Sequence, residues 1–82
     1  MNRTVIIYGR ERCHLCEEMW EDLQPLLKTC AHSLQIIDVD SDPQLHERFG
    51  LRVPVLMIDD EEICAGHLDI ESAAHKLGNP SV

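Results

Sequence analysis

Basic residues are scarce in this sequence. Seven Lys and Arg stand against fifteen Asp and Glu, a formal net charge of −8. Nucleic acids and anionic membranes call for a basic face, so the balance argues against both as partners. Long apolar runs are missing as well. The longest near the start, Val5-Ile6-Ile7-Tyr8, is too short for a membrane span or a signal peptide. The expectation is a cytoplasmic protein. Glycine and proline are few, four each, and sit as punctuation between patterned segments. There is no repeat and no low-complexity stretch. What remains is an 82-residue chain, 44% hydrophobic and 27% charged. That composition is globular rather than disordered. The length fits one domain with a thin core.

The hydrophobic pattern divides the chain into seven elements. Thr4–Tyr8 is a β-branched apolar run that reads as a buried strand closed by Gly9. From Cys13 the period changes. Cys16, Met19, Trp20, Leu23, Leu26, Leu27 and Cys30 fall at helical spacing on one stripe, with Trp20 expected in the core. Pro25 lacks an amide and crowds Glu21, which predicts a kink. Leu34–Val39 reads as a second strand. Asp42-Pro43 starts a short helix, Pro43 to Phe49, stopped by Gly50. Val53–Ile58, opened by Pro54, and Glu62–Ala65 form a hairpin around the polar turn Asp59-Asp60-Glu61. Leu68–Leu77 is the last helix, ended by Gly78 and Pro80. The order β-α-β-α-β-β-α predicts a parallel first pair of strands, a hairpin added antiparallel, and helices on both faces.

Four cysteines are present: Cys13, Cys16, Cys30 and Cys64. In a reducing compartment close pairs are more often catalytic or metal-binding than structural. Cys13-His14-Leu15-Cys16 lies between a strand and the start of a helix. A thiolate is the reactive form of cysteine, and a helix N-terminus favours negative charge. Cys13, at the cap, is the expected nucleophile. Cys16, one turn on, is the expected resolving thiol. Arg10 and Arg12 favour the Cys13 thiolate, and Glu17 opposes it. His14 helps only when protonated. A lowered pKa is predicted for Cys13.

With these residues in place the sequence resembles the glutaredoxin branch of the thioredoxin-like family, over nearly the whole chain. Ile7-Tyr8-Gly9-Arg10-Glu11-Arg12-Cys13 resembles the family's opening. Arg52-Val53-Pro54 resembles its Thr-Val-Pro, whose proline is cis. Ala65-Gly66-His67-Leu68-Asp69 resembles its Gly-Gly-x-x-Asp segment. The closest resemblance is to very small bacterial glutaredoxin-like proteins. It implies an α/β thioredoxin-like fold, with a four-stranded mixed sheet flanked by three helices. It implies a thiol–disulfide oxidoreductase acting on protein or glutathione mixed disulfides. It also implies that Arg10, with the turn at Gly66 and Asp69, flanks a glutathione site. Arg12, His14, Val53 and Pro54 complete the expected substrate groove, with the Val53 backbone pairing with substrate. His67 falls beside that groove. No bound cofactor is expected. Glutathione is a possible co-substrate, and a monomer is the default. The sequence departs from the family at His14, Leu15, Arg52 and Ala65.

Two other readings stand beside this one. Cys13, Cys16, Cys30 and His32 have the spacing C-x2-C-x13-C-x-H, which suits tetrahedral zinc on paper. A helix between Cys16 and Cys30 would hold them about 21 Å apart, so only a break at Pro25 could gather them. Iron–sulfur binding across a dimer occurs among glutaredoxins, so the resemblance permits that too. The third reading is a redox-inactive interaction domain of the same fold. Cys30 is expected to pack as a small apolar residue. Cys64 is expected to be buried rather than to act as a third redox thiol.

Overall fold

The computed structural model describes residues 3–28 and 30–78. Its elements are β1 (Arg3–Gly9), α1 (His14–Leu27), β2 (His32–Asp38), a 3-10 turn (Val39–Ser41), α2 (Pro43–Phe49), β3 (Val55–Ile58), β4 (Glu61–Ala65) and α3 (Ile70–Leu77). The sheet order is β2-β1-β3-β4. β1 runs parallel to β2, from Arg3 opposite His32 to Gly9 opposite Asp38. β3 runs antiparallel to both β1 and β4. This is the expected thioredoxin-like α/β sheet flanked by three helices.

Alternation along the strands builds a core on each face. Val5 and Ile7 of β1 and Leu56 and Ile58 of β3 point to one side. There they meet Met19, Leu23, Leu26 and Leu27 of α1 and Ala73, Ala74 and Leu77 of α3. Val55 points to the other side and packs with Val39 and Phe49. Tyr8 joins this smaller cluster, its ring stacked on Phe49 at 4.5 Å.

Several boundaries differ from the sequence reading. Val39 leaves the second strand for the 3-10 turn, because the Asp38 carboxylate caps it through the Asp40 amide at 2.8 Å. That strand also begins two residues earlier than expected, at His32. β3 begins after Pro54 rather than at Val53. α3 begins at Ile70, so Leu68 packs on the core from the preceding loop. α1 continues through Pro25 and ends at Leu27. The proline falls in the last turn, and the Lys28 amide still bonds the Gln24 carbonyl at 3.2 Å. Pro80 lies outside the described residues. The β3–β4 turn is made by Asp59 and Asp60, with φ of 51° and 67°. Two positive φ values in a two-residue loop match the twist of a hairpin, and aspartate tolerates them. Asp59 is further tied to β1 by the Thr4 amide (3.0 Å) and the Arg3 guanidinium (2.7 Å). Those bonds, the amide first, hold its carboxyl below the usual range.

Candidate functional site

β1 ends at Gly9, and the chain turns through Arg10, Glu11 and Arg12 into α1. Arg12 has φ 56°, a left-handed conformation unusual for a residue with a side chain. The next residue, Cys13, is the N-cap of α1. Its sulfur accepts the Cys16 amide at 3.2 Å. One turn of helix brings the two cysteines together, with Cα atoms 5.2 Å apart and the sulfurs at disulfide distance. The sulfur nearer the chain start therefore sits on the free amides of a helix N-terminus, where negative charge is favoured. Both cysteines are half-buried.

One groove is lined by the pair, and a second begins at Leu15, between the two cysteines in sequence. The first gathers Arg10, Arg12, Cys13, Cys16, Trp20 and Ile36. Trp20 is thus only partly in the core: one part packs on the main cluster and another lines this groove. Ile36 of β2 is 59% exposed. The second groove lies between α1 and the β4–α3 loop, lined by Leu15, Glu18, Asp22, Gly66 and His67. Its carboxylates face the segment where the resemblance places glutathione contacts. A further groove, between Glu61 and Glu62 of β4 and His75 and Lys76 of α3, likewise contains neither cysteine of the pair.

The remaining expected site residues are distributed as follows. Arg10 donates to the Gly50 carbonyl at 2.9 Å, and its Nε lies 3.6 Å from Asp40 Oδ2. That nitrogen is buried and makes no hydrogen bond. Arg10 thus ties the motif loop to the end of α2. His14 is exposed, with Nε2 3.2 Å from Glu18 Oε1. The Val53–Pro54 peptide is cis. Val53 packs on the smaller cluster, and the Pro54 carbonyl accepts the Gly66 amide at 2.8 Å. Gly66 has φ 82°, the conformation that glycine supplies without strain. Asp69 caps α3, accepting the Ser72 amide at 3.1 Å and the Ser72 hydroxyl at 2.8 Å. These bonds lower its carboxyl below the usual range. Arg52 pairs with Glu62 of β4. The proline loop and the Gly66 loop are therefore joined to each other, while Arg10 is turned towards α2.

Cys30 follows α1 and packs on the main core. His32, half-buried at the start of β2, has Nδ1 3.0 Å from the Cys30 carbonyl. Cys13 and Cys16 stand at the start of the 14-residue α1, and Cys30 and His32 follow its other end. Among the described residues no three His, Cys, Asp or Glu side chains gather as a metal site. Cys64 is half-buried rather than fully buried. Its sulfur accepts the Asp69 amide at 3.5 Å, and burial pushes its thiol up. Sequence reasoning overlooked Asp40 as the partner of Arg10 and Ile36 as a groove residue. Asp40 lies thirty residues further on, and only the fold joins them.

Comparison with known proteins agrees with this architecture. The model of the glutaredoxin-like domain (DUF836) matches residues 4–78. The chain belongs to the glutaredoxin-like domain family. The solution structure of protein Ne2328 from Nitrosomonas europaea is similar, with 39% identity and a TM-score of 0.82 over 92% of this chain and 91% of that one. Protein XcR50 from X. campestris is 28% identical with a TM-score of 0.71, over 90% of this chain and 95% of that one. Thioredoxin 1 from Thermosipho africanus shares the fold at 19% identity, with a TM-score of 0.65 over 92% and 90% of the two chains. A search of functionally curated proteins gave no match. A glutaredoxin-like fold with a cysteine pair at disulfide distance supports a redox-type role. Among the described residues no helix is long and apolar enough to cross a membrane.

Proposed function

We propose that this protein is a cytoplasmic thiol–disulfide oxidoreductase that works through the Cys13–Cys16 dithiol. The observation that carries the reading is the Cys13 sulfur accepting the Cys16 amide at the start of α1, within bonding reach of the second sulfur. That amide and the helix end stabilise a Cys13 thiolate. The thiolate attacks one sulfur of a substrate disulfide, and the other substrate sulfur leaves as a thiolate that takes a proton. Cys16, as thiolate, then attacks Cys13 Sγ in the mixed disulfide. The Cys13–substrate bond breaks, the second substrate sulfur leaves reduced, and the Cys13–Cys16 disulfide keeps the oxidation. Two glutathione molecules or an external dithiol return the pair to the dithiol.

The substrate is a disulfide on a protein or a glutathione mixed disulfide. Leu15, His14 and the proline loop at Val53 and Pro54 border its path. Glu18 and Asp22 on one side, and the engagement of Arg10 by Gly50 and Asp40, weigh against strong binding of glutathione carboxylates. The protein acts as a monomer in this reading and needs no bound cofactor.

The test is a redox titration of the purified protein in glutathione buffers, with the disulfide read by mass. The expected result is a reversible two-electron midpoint between about −180 and −280 mV. A protein that forms no reversible Cys13–Cys16 disulfide would overturn the proposal.

A further inference from the structure

Gly9 is the last residue of β1 and is buried. Its backbone does not call for glycine, since positive φ among the glycines occurs at Gly66 and Gly78. Contact explains it instead. A Cβ on Gly9 would stand 3.0 Å from Cys16 Sγ and 3.4 Å from Cys16 Cβ, with no other atom outside its chain neighbours within 4 Å. The space that the missing side chain leaves open is therefore space for one sulfur.

We propose that Gly9 is a positioning residue for the resolving thiol. It lets Cys16 Sγ rest against the end of β1, where it meets Cys13. The inference rests on the dithiol reading above. β1 is held on both sides, by β2 up to Gly9 and by β3 up to Tyr8, so the strand does not give way. Any added carbon is accommodated by Cys16. In the dithiol, Cys16 is free to turn its sulfur to another rotamer. In the disulfide the sulfur is bonded to Cys13 and is not. A methyl group at position 9 thus disfavours the disulfide relative to the dithiol. It also obstructs the second step, in which Cys16 attacks Cys13 Sγ. No atom of Cys13 lies within 4 Å of the added carbon, so the first attack, by Cys13, is left alone.

The decisive variant is Gly9→Ala, compared with wild type in the same glutathione titration. The equilibrium is expected to shift about tenfold towards the dithiol, a midpoint about 30 mV more positive. The mixed disulfide with substrate should persist longer, and the rate of Cys13 alkylation should stay the same. An unchanged midpoint, or equal losses of thermal stability in the oxidised and reduced forms, would reduce Gly9 to ordinary packing and overturn the inference. Should Gly9→Ala fail to fold, Gly9→Ala/Cys16→Ala decides. With the sulfur gone, the methyl group has room and folding should return. Failure of the double variant would show that something other than Cys16 excludes a side chain. If wild type forms no reversible disulfide, the dithiol function fails. The stability comparison of the Gly9 and Cys16 variants still tells whether Gly9 seats Cys16.

Discussion

Two helices of this protein begin on the same geometry with different atoms. At α3 the Asp69 carboxylate accepts the amide of Ser72, three residues on. At α1 the Cys13 sulfur accepts the amide of Cys16, also three residues on. Asp is among the best residues at this position. A thiol sulfur is a weak acceptor. The α3 cap is therefore permanent at neutral pH, with its carboxyl held low by the Ser72 amide and hydroxyl. The α1 cap becomes strong only when the sulfur is charged, since charge-assisted hydrogen bonds are the strong ones. The helix end thus favours ionisation of the group that the proposed reaction uses as an anion. The difference teaches what α1 gives up: it begins on a poor cap, and in the proposed mechanism the missing stabilisation is recovered when Cys13 ionises.

The largest effect expected from breaking this comparison is on activity. Cys13→Ser replaces a weak acceptor with a good cap and removes the nucleophile. Turnover of disulfide substrates should vanish, while thermal stability stays at or above that of the reduced wild type. Activity assays and melting curves on one preparation check both halves. Retained turnover would remove Cys13 from the mechanism. A large loss of stability would mean that the sulfur packs rather than caps.

The converse change, at α3, should leave the redox chemistry alone and cost stability. Asp69→Ala is expected to lower Tm by roughly 5 °C, the usual scale for a lost cap in a domain of this size. The pH dependence carries a sign. The Asp69 carboxyl is lowered in the folded state, so its contribution is fully present above the unfolded value of about 3.9. It is lost as pH falls through the lower folded value. Wild type and variant should therefore converge in strong acid. A gap that persisted there would assign the loss to something other than the charged cap.

Much of this was legible beforehand, and the reasons are local. The Cys13–Cys16 pair, the strand before it and the helix after it are neighbours in sequence, so spacing alone predicts their meeting. Asp42-Pro43 and Gly50 bound α2 where they should, because cap, proline and glycine act over a few residues. What escaped was long-range or ambiguous. Asp69 has the spacing of a cap to Ser72, but the apolar pattern starts the helix at Leu68, so its role as cap is visible only in the structure. The partners of Arg10 come from α2 and the turn before it, and no periodicity announces them. Trp20 fits the apolar stripe, but a helix stripe does not tell which of its members ends beside the open edge strand β2. Gly9 reads as the end of a strand, and only its distance from Cys16 gives it a further role.

The smallest effect expected separates the cap and helix end from the side-chain charges around them. Glu17 is exposed in the first turn of α1, and its amide donates to the Cys13 carbonyl at 3.1 Å. Its carboxylate opposes the thiolate that the Cys16 amide favours. Through water, two unit charges about 6 Å apart interact by about 0.7 kcal/mol. Glu17→Gln should therefore lower the pKa of Cys13 by up to about half a unit, and the proposed function expects the wild-type value itself to lie below the ordinary value of about 8.5. Alkylation rate against pH measures both. At 1 M salt the screening length falls to about 3 Å, so the two proteins should then titrate together. A difference that survives high salt would mean that the substitution had disturbed the helix start itself. A wild-type value that stays below about 8.5 in high salt assigns the lowering to the cap and the helix end, because a hydrogen bond to the Cys16 amide is not screened as an exposed charge is.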